Sequence, residues 1–472
     1  MTSPPGGGGW NMSSSTADPL ADIRRRAPVE GAWLVGGSVR DMLLGRPVLD
    51  IDLVVAGDPR IVARRLAGRC GGSPFPLSER HGAWRVVSGE QTVDIAGCRS
   101  SIEDDLGLRD FTINAIAVSL DNGEYTDPFG GREDLDRRLL RTVSDRVFAD
   151  DPLRLLRLPR IAHELGFGID PAGERLASSQ ADLASRPSGE RIFMEMKRLL
   201  GGDRPAEALR LADRIGVLEA VLPEVAPMRG VTQSGHHQLD VWEHTLHVVE
   251  AVADIADHPE YYLPGHARMV GAELAGDAGD ELTVAQALRL AALFHDISKP
   301  QTRVQTEARI SFMGHDREGA DAAAGVLERW KASNALIRFC RVMVREHLAL
   351  GFSIPRRPLD RRTAYRYLRA TEPWPAASVV LSVADRMATR GPSSRLRHLR
   401  RHSETADELL GLIAQLRADH APPLMRGDEI AEATGARGAE IKRLVDMLAE
   451  EQAAGSVATR EEALAYVREQ VR

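Results

Sequence analysis

The stretch Leu34-Val35-Gly36-Gly37-Ser38-Val39-Arg40-Asp41, followed by Asp50-Ile51-Asp52, decides how this chain is read. An apolar run that stops at two glycines predicts a strand and a turn whose backbone amides approach a ligand closely. A helix N-terminus just beyond it adds a dipole that favours phosphate. Arg40 falls in the first turn of that helix, within reach of phosphate oxygens. Asp50 and Asp52 are two apart, so on a strand both side chains share one face. Carboxylates so placed suit Mg²⁺, which takes oxygen ligands and bridges protein to substrate phosphates. Two such ions activate an attacking hydroxyl and neutralise a leaving pyrophosphate. Either piece alone is commonplace on a solvated edge. In the order strand, turn, helix, strand, they point to a nucleotide-handling head.

Outward from this point the pattern stays mixed to about residue 145. Ala32–Val35 and Ile51–Val55 read as strands, Trp84–Val87 and Gln91–Ile95 as a strand pair around Ser88-Gly89, and Ile113–Leu120 as an apolar run ended by Asp121-Asn122-Gly123. Beyond 146 the strand signals vanish. Leu153, Leu156, Ile161 and Leu165 recur near helical spacing, as do Ile192, Met196, Leu199 and Leu200. Residues 1–20, rich in Gly, Ser and Pro, have almost nothing to bury and read as a disordered tail. The expected class is α+β: a small head with a mixed sheet, followed by a long all-α neck, body and tail.

Composition bounds the partners. The chain has 472 residues and a net charge of −7, with 43% hydrophobic and 27% charged residues, which excludes global disorder and a globally basic protein. No apolar run approaches the ~20 residues of a membrane span. The start lacks a basic stretch followed by an apolar one, and Cys70, Cys98 and Cys340 are odd in number and widely spaced. The expectation is a reduced, cytoplasmic protein without membrane contact.

Three further features carry chemistry. Asp151, Arg154, Arg157 and Arg160 recur every three positions, along one drifting helix face that would ordinarily be solvated. His244, the adjacent pair His295-Asp296 and Asp385 stand in apolar helical stretches, where buried polar groups need partners; imidazoles and carboxylates from separate helices make a plausible divalent-metal site. Arg356, Arg357, Arg361, Arg362, Arg366, Arg369, Arg395, Arg397, Arg400 and Arg401 form a basic stretch. It is equally readable as an RNA-binding face and as a helical surface balanced by acidic residues elsewhere.

The Gly36-Gly37-x-Val39-Arg40-Asp41 and Asp50-x-Asp52 motifs resemble the signature of class II tRNA nucleotidyltransferases and bacterial poly(A) polymerases. Arg109-Asp110-Phe111-Thr112-Ile113-Asn114-Ala115 is similar to the family's second motif, with Leu108 where an Arg is usual. Asp127-Pro128-Phe129-Gly130-Gly131 matches a hinge, Asp150-Asp151-Pro152-Leu153-Arg154 a base-recognition motif with Asp150 in place of Glu, and Gly189-Glu190-Arg191-Ile192 a later helix. The His244, His295-Asp296 and Asp385 set resembles an HD-domain phosphohydrolase, and His315 and His347 fit places where such domains carry extra histidines. The resemblance implies a head at 21–145, a helical neck at 146–225, an HD-type domain at 226–402 and a C-terminal tail at 403–472. It implies that Asp50 and Asp52 hold Mg²⁺ as the catalytic pair, and that Gly37, Arg40, Arg109, Asp151, Arg154, Arg157 and Arg160 bind nucleotide. Asp151 and Arg154 would read the Watson–Crick edge of the base. The implied activity is template-independent addition of CCA to tRNA from CTP and ATP, with possible phosphohydrolase action at a second divalent metal. CC-only addition, a poly(A) polymerase, and a phosphohydrolase whose head merely binds RNA are the alternatives. Only Gly97-Cys98-Arg99-Ser100-Ser101 links the strand ending near Ala96 to the helix near Ile102, where enzymes of full CCA activity often carry a longer loop that acts as a lever.

Overall fold

The computed structural model describes residues 19–471 except 79–81, 90, 234–237, 308, 390–395 and 420–421. Of the disordered tail expected at 1–20, residues 1–18 lie outside the described residues, as does Arg395, while Pro19 and Leu20 begin a helix, Pro19–Arg26. The chain divides into two compact units. One runs to Arg186 and includes Ile215–Val217; the other comprises Pro187–Arg214 and Leu218 onward. The division falls inside the segment expected to be a neck.

In the first unit a seven-stranded sheet is built from β1 (Ala32–Val35), β2 (Asp50–Val55), β3 (Ser73–Ser78), β4 (Ala83–Ser88), β5 (Gln91–Gly97), β6 (Ala117–Ser119) and β7 (Tyr125–Thr126). Their spatial order is β3-β4-β5-β2-β1-β6-β7. β2 and β5 pair in parallel, with Asp50 opposite Thr92 and Asp52 opposite Asp94, and the other neighbours are antiparallel. Helix α1 (Gly37–Leu43) follows β1 across the left-handed Gly36, at φ 67°. Helix α2 (Pro59–Cys70) makes the crossover; the Asp58 side chain accepts from the Arg60 amide and left-handed Gly71 ends it. Val35, Val54, Ile102, Leu106, Ala115 and Ala117 form one buried cluster beneath the sheet.

The apolar run Ile113–Leu120 is not one strand. Thr112–Asn114 form a single 3₁₀ turn and the strand is confined to Ala117–Ser119. The reason is local: the Asn114 side-chain amide donates to Asp110 while the Asn114 backbone amide donates to the Phe111 carbonyl, so the segment curls. Strands also persist past 146 in small pairs that the pattern did not announce, at Leu139–Leu140 with Gly168–Ile169, Asp277–Gly279 with Leu282–Thr283, and Val304–Gln305 with Ile310–Ser311.

The second unit is helical apart from the last two of those pairs. Helix Val241–Asp257 packs on Val284–Phe294 and Pro375–Ala388, and His315–Arg329 packs on Asn334–Glu346. These five helices bring the histidines and acids together. The last segment builds its own small core from Met425, Ile430, Leu444, Leu448, Ala463 and Val467.

Candidate active sites of the head and the helical unit

In the head, the strand period places Asp50 and Asp52 on one face of β2, and the parallel register sets Asp94 of β5 beside Asp52. Burial pushes the Asp52 carboxyl up to about 6, with the negative charges of Asp94 and Asp50 adding to it and Arg109 and Arg40 opposing. Carboxylates crowded in this way favour a divalent cation, so the donor set fits the metal that the motif implies. Asp94 is a residue that sequence reasoning missed. Its only signal was an acid at an alternate position of an otherwise apolar strand. Arg85 on β4 now holds it through two hydrogen bonds of 2.7 Å. At Gly36 a Cβ would lie 3.0 Å from Arg109 Nη1 and 3.4 Å from Asp52 Oδ2 and would crowd both, while the positive φ of 67° already favours glycine.

The nucleotide-binding candidates fall into two groups. Arg40 forks onto Asp41 and donates to Asn114 Oδ1 at 2.9 Å; Asn114 in turn donates to Asp110, and Asp110 pairs with Arg157 at 2.8 Å. Burial alone would raise the Asp110 carboxyl, but Arg157 and the Asn114 and Phe111 hydrogen bonds hold it below its ordinary value. Arg109 pairs with Asp105 at 3.0 Å and remains close to Asp52. Arg154 donates to the Leu108 and Val147 carbonyls. These residues gather around the Gly36-Gly37 turn and the second motif. Arg160 is turned elsewhere, onto Glu164 one helical turn on. Asp151 does not share a helix face with the arginines: it is extended (φ −144°, ψ 98°), and the helix starts at Arg154. Pro152 explains this, since a residue before proline is pushed out of the helical region.

In the second unit the four expected ligands converge with two more. His244 Nε2 lies 3.0 Å from Asp385 and 3.6 Å from Asp296; His295 Nε2 lies 3.1 Å from Asp296. On the other side of Asp296, His315 and His347 reach to 3.4 and 3.9 Å. The donor atoms form two sets with metal-binding spacing, His244 with His295 and Asp385, and Asp296 with His315 and His347. His295, His315 and His347 each direct Nδ1 to the carbonyl three residues back, at 2.8, 2.6 and 2.6 Å. A proton on Nδ1 leaves each Nε2 as a lone pair aimed inward. His315 Nε2 and His347 Nε2 then face each other at 3.3 Å. Two buried lone pairs at that range repel unless a cation lies against them, and burial keeps His347 neutral by lowering it to about 4. His295 Nε2 and both Asp296 oxygens are buried without a well-aligned hydrogen bond among the described residues, though Lys299 Nζ is 2.6 Å from Asp296. The residues fit a divalent centre.

The basic stretch resolves in favour of the balanced surface for most of its arginines. Arg357 pairs with Glu404 and Glu408, Arg361 with Asp419, Arg362 with Glu450 and Glu451, and Arg366 with Glu450. They tie helix Arg361–Thr371 to the C-terminal helices.

The chain matches the poly A polymerase head domain over residues 32–103 and 98–141, the probable RNA and SrmB-binding site of polymerase A over 166–229, and the HD domain over 241–390. It is 35% identical to the A-adding tRNA nucleotidyltransferase of Deinococcus radiodurans, over 94% of this chain and 98% of the relative. The chain belongs to the class II tRNA nucleotidyltransferase and poly(A) polymerase family, with an HD domain. It is an enzyme of nucleotidyl transfer to tRNA. The CC-adding tRNA nucleotidyltransferase of Thermus thermophilus is also 35% identical, over 92% of this chain and 93% of its own length. A multifunctional CCA protein of Xanthomonas campestris is 34% identical over 67% of this chain and 74% of its own. Among solved structures, a CCA-adding enzyme with CTP matches at TM-score 0.62 and 20% identity, over 97% of this chain and 96% of that one, a likeness of fold. Head and HD domains of this kind generally use divalent metals, and among the described residues the HD domain carries two groups that could bind them. No helix among the described residues is long and apolar enough to cross a membrane.

Proposed function

We propose that this enzyme adds the two cytidines of the CCA end to tRNA, drawing on CTP, and leaves the terminal adenosine to a second enzyme. The short connection from Gly97 to Ile102 carries this reading. β5 ends at Gly97 and Ser101 already caps the next helix, accepting from the Asp104 amide at 3.1 Å. Exchanging cytosine for adenine requires Asp151 and Arg154 to shift, because adenine is larger and presents its amino group elsewhere. A connection pinned at both ends has little reach to drive that shift. Relatives of divided activity also match this chain over nearly their whole length, and the multifunctional relative does not. Full CCA addition, the broader expectation, is the second reading, favoured by the intact Asp151 and Arg154 pair.

The chemistry follows from the head. The tRNA 3′-hydroxyl attacks the α-phosphate of the bound nucleotide and pyrophosphate leaves. Mg²⁺ held by Asp50 and Asp52, with Asp94 beside them, would supply charge neutralisation and a more acidic hydroxyl. The Gly36-Gly37 turn brings backbone amides to the triphosphate, and Arg109 reaches the same space. Arg40 and Arg157 fix the Asn114–Asp110 pair that shapes the pocket floor. Asp151 accepts from the base amino group and Arg154 donates to its ring edge. Arg160 braces the neck helix through Glu164. In the HD domain, His244, His295 and Asp385, and Asp296, His315 and His347, would hold divalent cations, which would supply Lewis-acid activation of a phosphate for hydrolysis. The net charge of −7 and this second centre weigh against a poly(A) polymerase. The intact carboxylates of the head weigh against a head that only binds RNA. Incubation of Asp50→Ala with truncated tRNA and CTP tests the assignment: loss of CMP incorporation is expected, and full activity overturns it.

A further inference from the structure

The strand register of the head carries a row of side chains outward from the proposed metal site. Asp52 stands opposite Asp94, Asp94 opposite Arg85, and Arg85 opposite Phe75. Residues in register across a sheet share a face, so all four lie on the face of Asp52. Neighbouring strands are about 4.8 Å apart, which sets Phe75 about 14 Å from Asp52. Phe75 is 42% exposed, and Leu77, two residues on, is 46% exposed. The other face is covered. Trp84, which alternates with Arg85 and stands opposite Ile95, lies under helix α2, with Arg60 over its ring.

β3 is the outermost strand, and apolar side chains on an edge strand ordinarily invite another strand to pair. Pro74 and Pro76 oppose that, since neither has an amide hydrogen to give to a new neighbour. A partner therefore docks on the face rather than along the edge. The two sides of Asp52 are unlike. The Gly36-Gly37 turn follows β1, with Arg109 close to it, so the triphosphate of the reading above lies on the β1 side. In an in-line displacement the attacking oxygen enters opposite the leaving pyrophosphate. The RNA 3′-hydroxyl then arrives from the β5 side, and the strand behind it crosses Asp94 and Arg85 toward Phe75. Arg85 forks onto Asp94 through Nε and Nη2, which keeps a positive charge on that path with Nη1 outside the fork. An aromatic ring beside a guanidinium suits single-stranded RNA: the ring stacks a base and the cation faces the backbone. At a stacked rise of about 3.4 Å per nucleotide, the row spans at most about four nucleotides.

We propose that Phe75, with Leu77 beside it, is a stacking platform for an unpaired base of the tRNA 3′ end, behind the nucleotide whose hydroxyl attacks. The proposal rests on the head reading above, and the two fail differently: full activity of Asp50→Ala sinks the head reading, whatever Phe75 does. Initial rates of CMP incorporation by the full-length enzyme are measured against tRNA and against CTP separately. Phe75→Ala should raise the KM for tRNA about tenfold, with the KM for CTP and kcat at saturating tRNA within about twofold of wild type. Phe75→Trp should restore the tRNA KM and Phe75→Leu should not, because stacking needs a ring. Ile61→Ala, an exposed apolar residue of helix α2, should leave both KM values unchanged. With p-benzoylphenylalanine in place of Phe75, irradiation should crosslink the enzyme to the tRNA 3′ end. An unchanged tRNA KM in Phe75→Ala overturns the proposal, as does a Phe75→Leu enzyme equal to wild type or a crosslink that maps away from the 3′ end. Sedimentation of Phe75→Ala should match wild type; a change of assembly state assigns the patch to a second copy of the chain and overturns the proposal as well.

Discussion

The head and the HD domain both gather acids for a divalent metal, but they prepare them differently. In the head, Asp50 is exposed on a sheet face, Asp52 is half-buried, and Asp94 is held by Arg85. Among the described residues no imidazole joins Asp50, Asp52 and Asp94 in a metal-binding group, so substrate phosphates are expected to supply ligands. In the HD domain, six donors are in place, and three imidazoles are oriented by backbone carbonyls within their own helices. The difference teaches which metal depends on substrate. The HD centre offers two three-donor sets from protein alone and should retain metal through purification; the head should take it up with the nucleotide.

The largest expected effect breaks the head alone. Asp52→Ala should lower the initial rate of CMP incorporation by about 1,000-fold or more. Metal analysis of the same variant after gel filtration should match wild type, since the HD donors are the ones proposed to retain ions. A variant that loses the retained metal along with transfer would invert the comparison.

Next in size is the buried pair beneath the proposed nucleotide site. Asp110 is 4% exposed at its side chain and faces Arg157. Arg157→Met strands a buried carboxylate and should cost about 3 kcal/mol by urea denaturation. Asp110→Asn in the Arg157→Met background should recover part of that loss.

A third test concerns the helix that carries Asp385. Glu273 accepts from the Ala377 amide at 2.8 Å, near the start of helix Pro375–Ala388. Burial pushes its carboxyl up to about 7 from an ordinary 4.5, against that hydrogen bond and Arg417. The folded chain therefore keeps a proton that the unfolded chain releases. The associated stability is fully present below about pH 4.5 and is lost as the pH rises through about 7, by about 3 kcal/mol. Glu273→Gln should flatten this part of the profile, measured as the Tm difference between pH 5 and 8.5. An unchanged profile would remove Glu273 as its cause.

The smallest effect sharpens the view of the basic stretch. Arg362→Ala removes a partly exposed pair with Glu451 and should cost about 1 kcal/mol or less. The KM for tRNA should stay within about twofold. A larger rise would return this face to RNA binding.

The contrast between the two regions also explains what could be read beforehand. The Gly36-Gly37 turn and Asp50-x-Asp52 were legible because one strand, turn and helix hold them within a short stretch. Asp94 was not, since its pairing with Asp52 depends on a parallel crossover that no local pattern specifies. His295-Asp296 stood out as polar residues in an apolar helix, whereas the roles of His315 and His347 depend on helices far along the chain packing around Asp296. The arginines of 356–369 stayed open between two readings for the same reason: the carboxylate partners of Arg357 and Arg362 lie some 50 to 90 residues away. The helical period put Asp151 on the face of Arg154, but Pro152 breaks the helix between them.

The most direct measurement follows product length on a tRNA that ends just before CCA. The purified enzyme receives CTP and ATP together, and the products are resolved at single-nucleotide length. The expected result is extension by two cytidines and a stall with ATP in excess. Efficient transfer of AMP to a tRNA already ending in CC would contradict it.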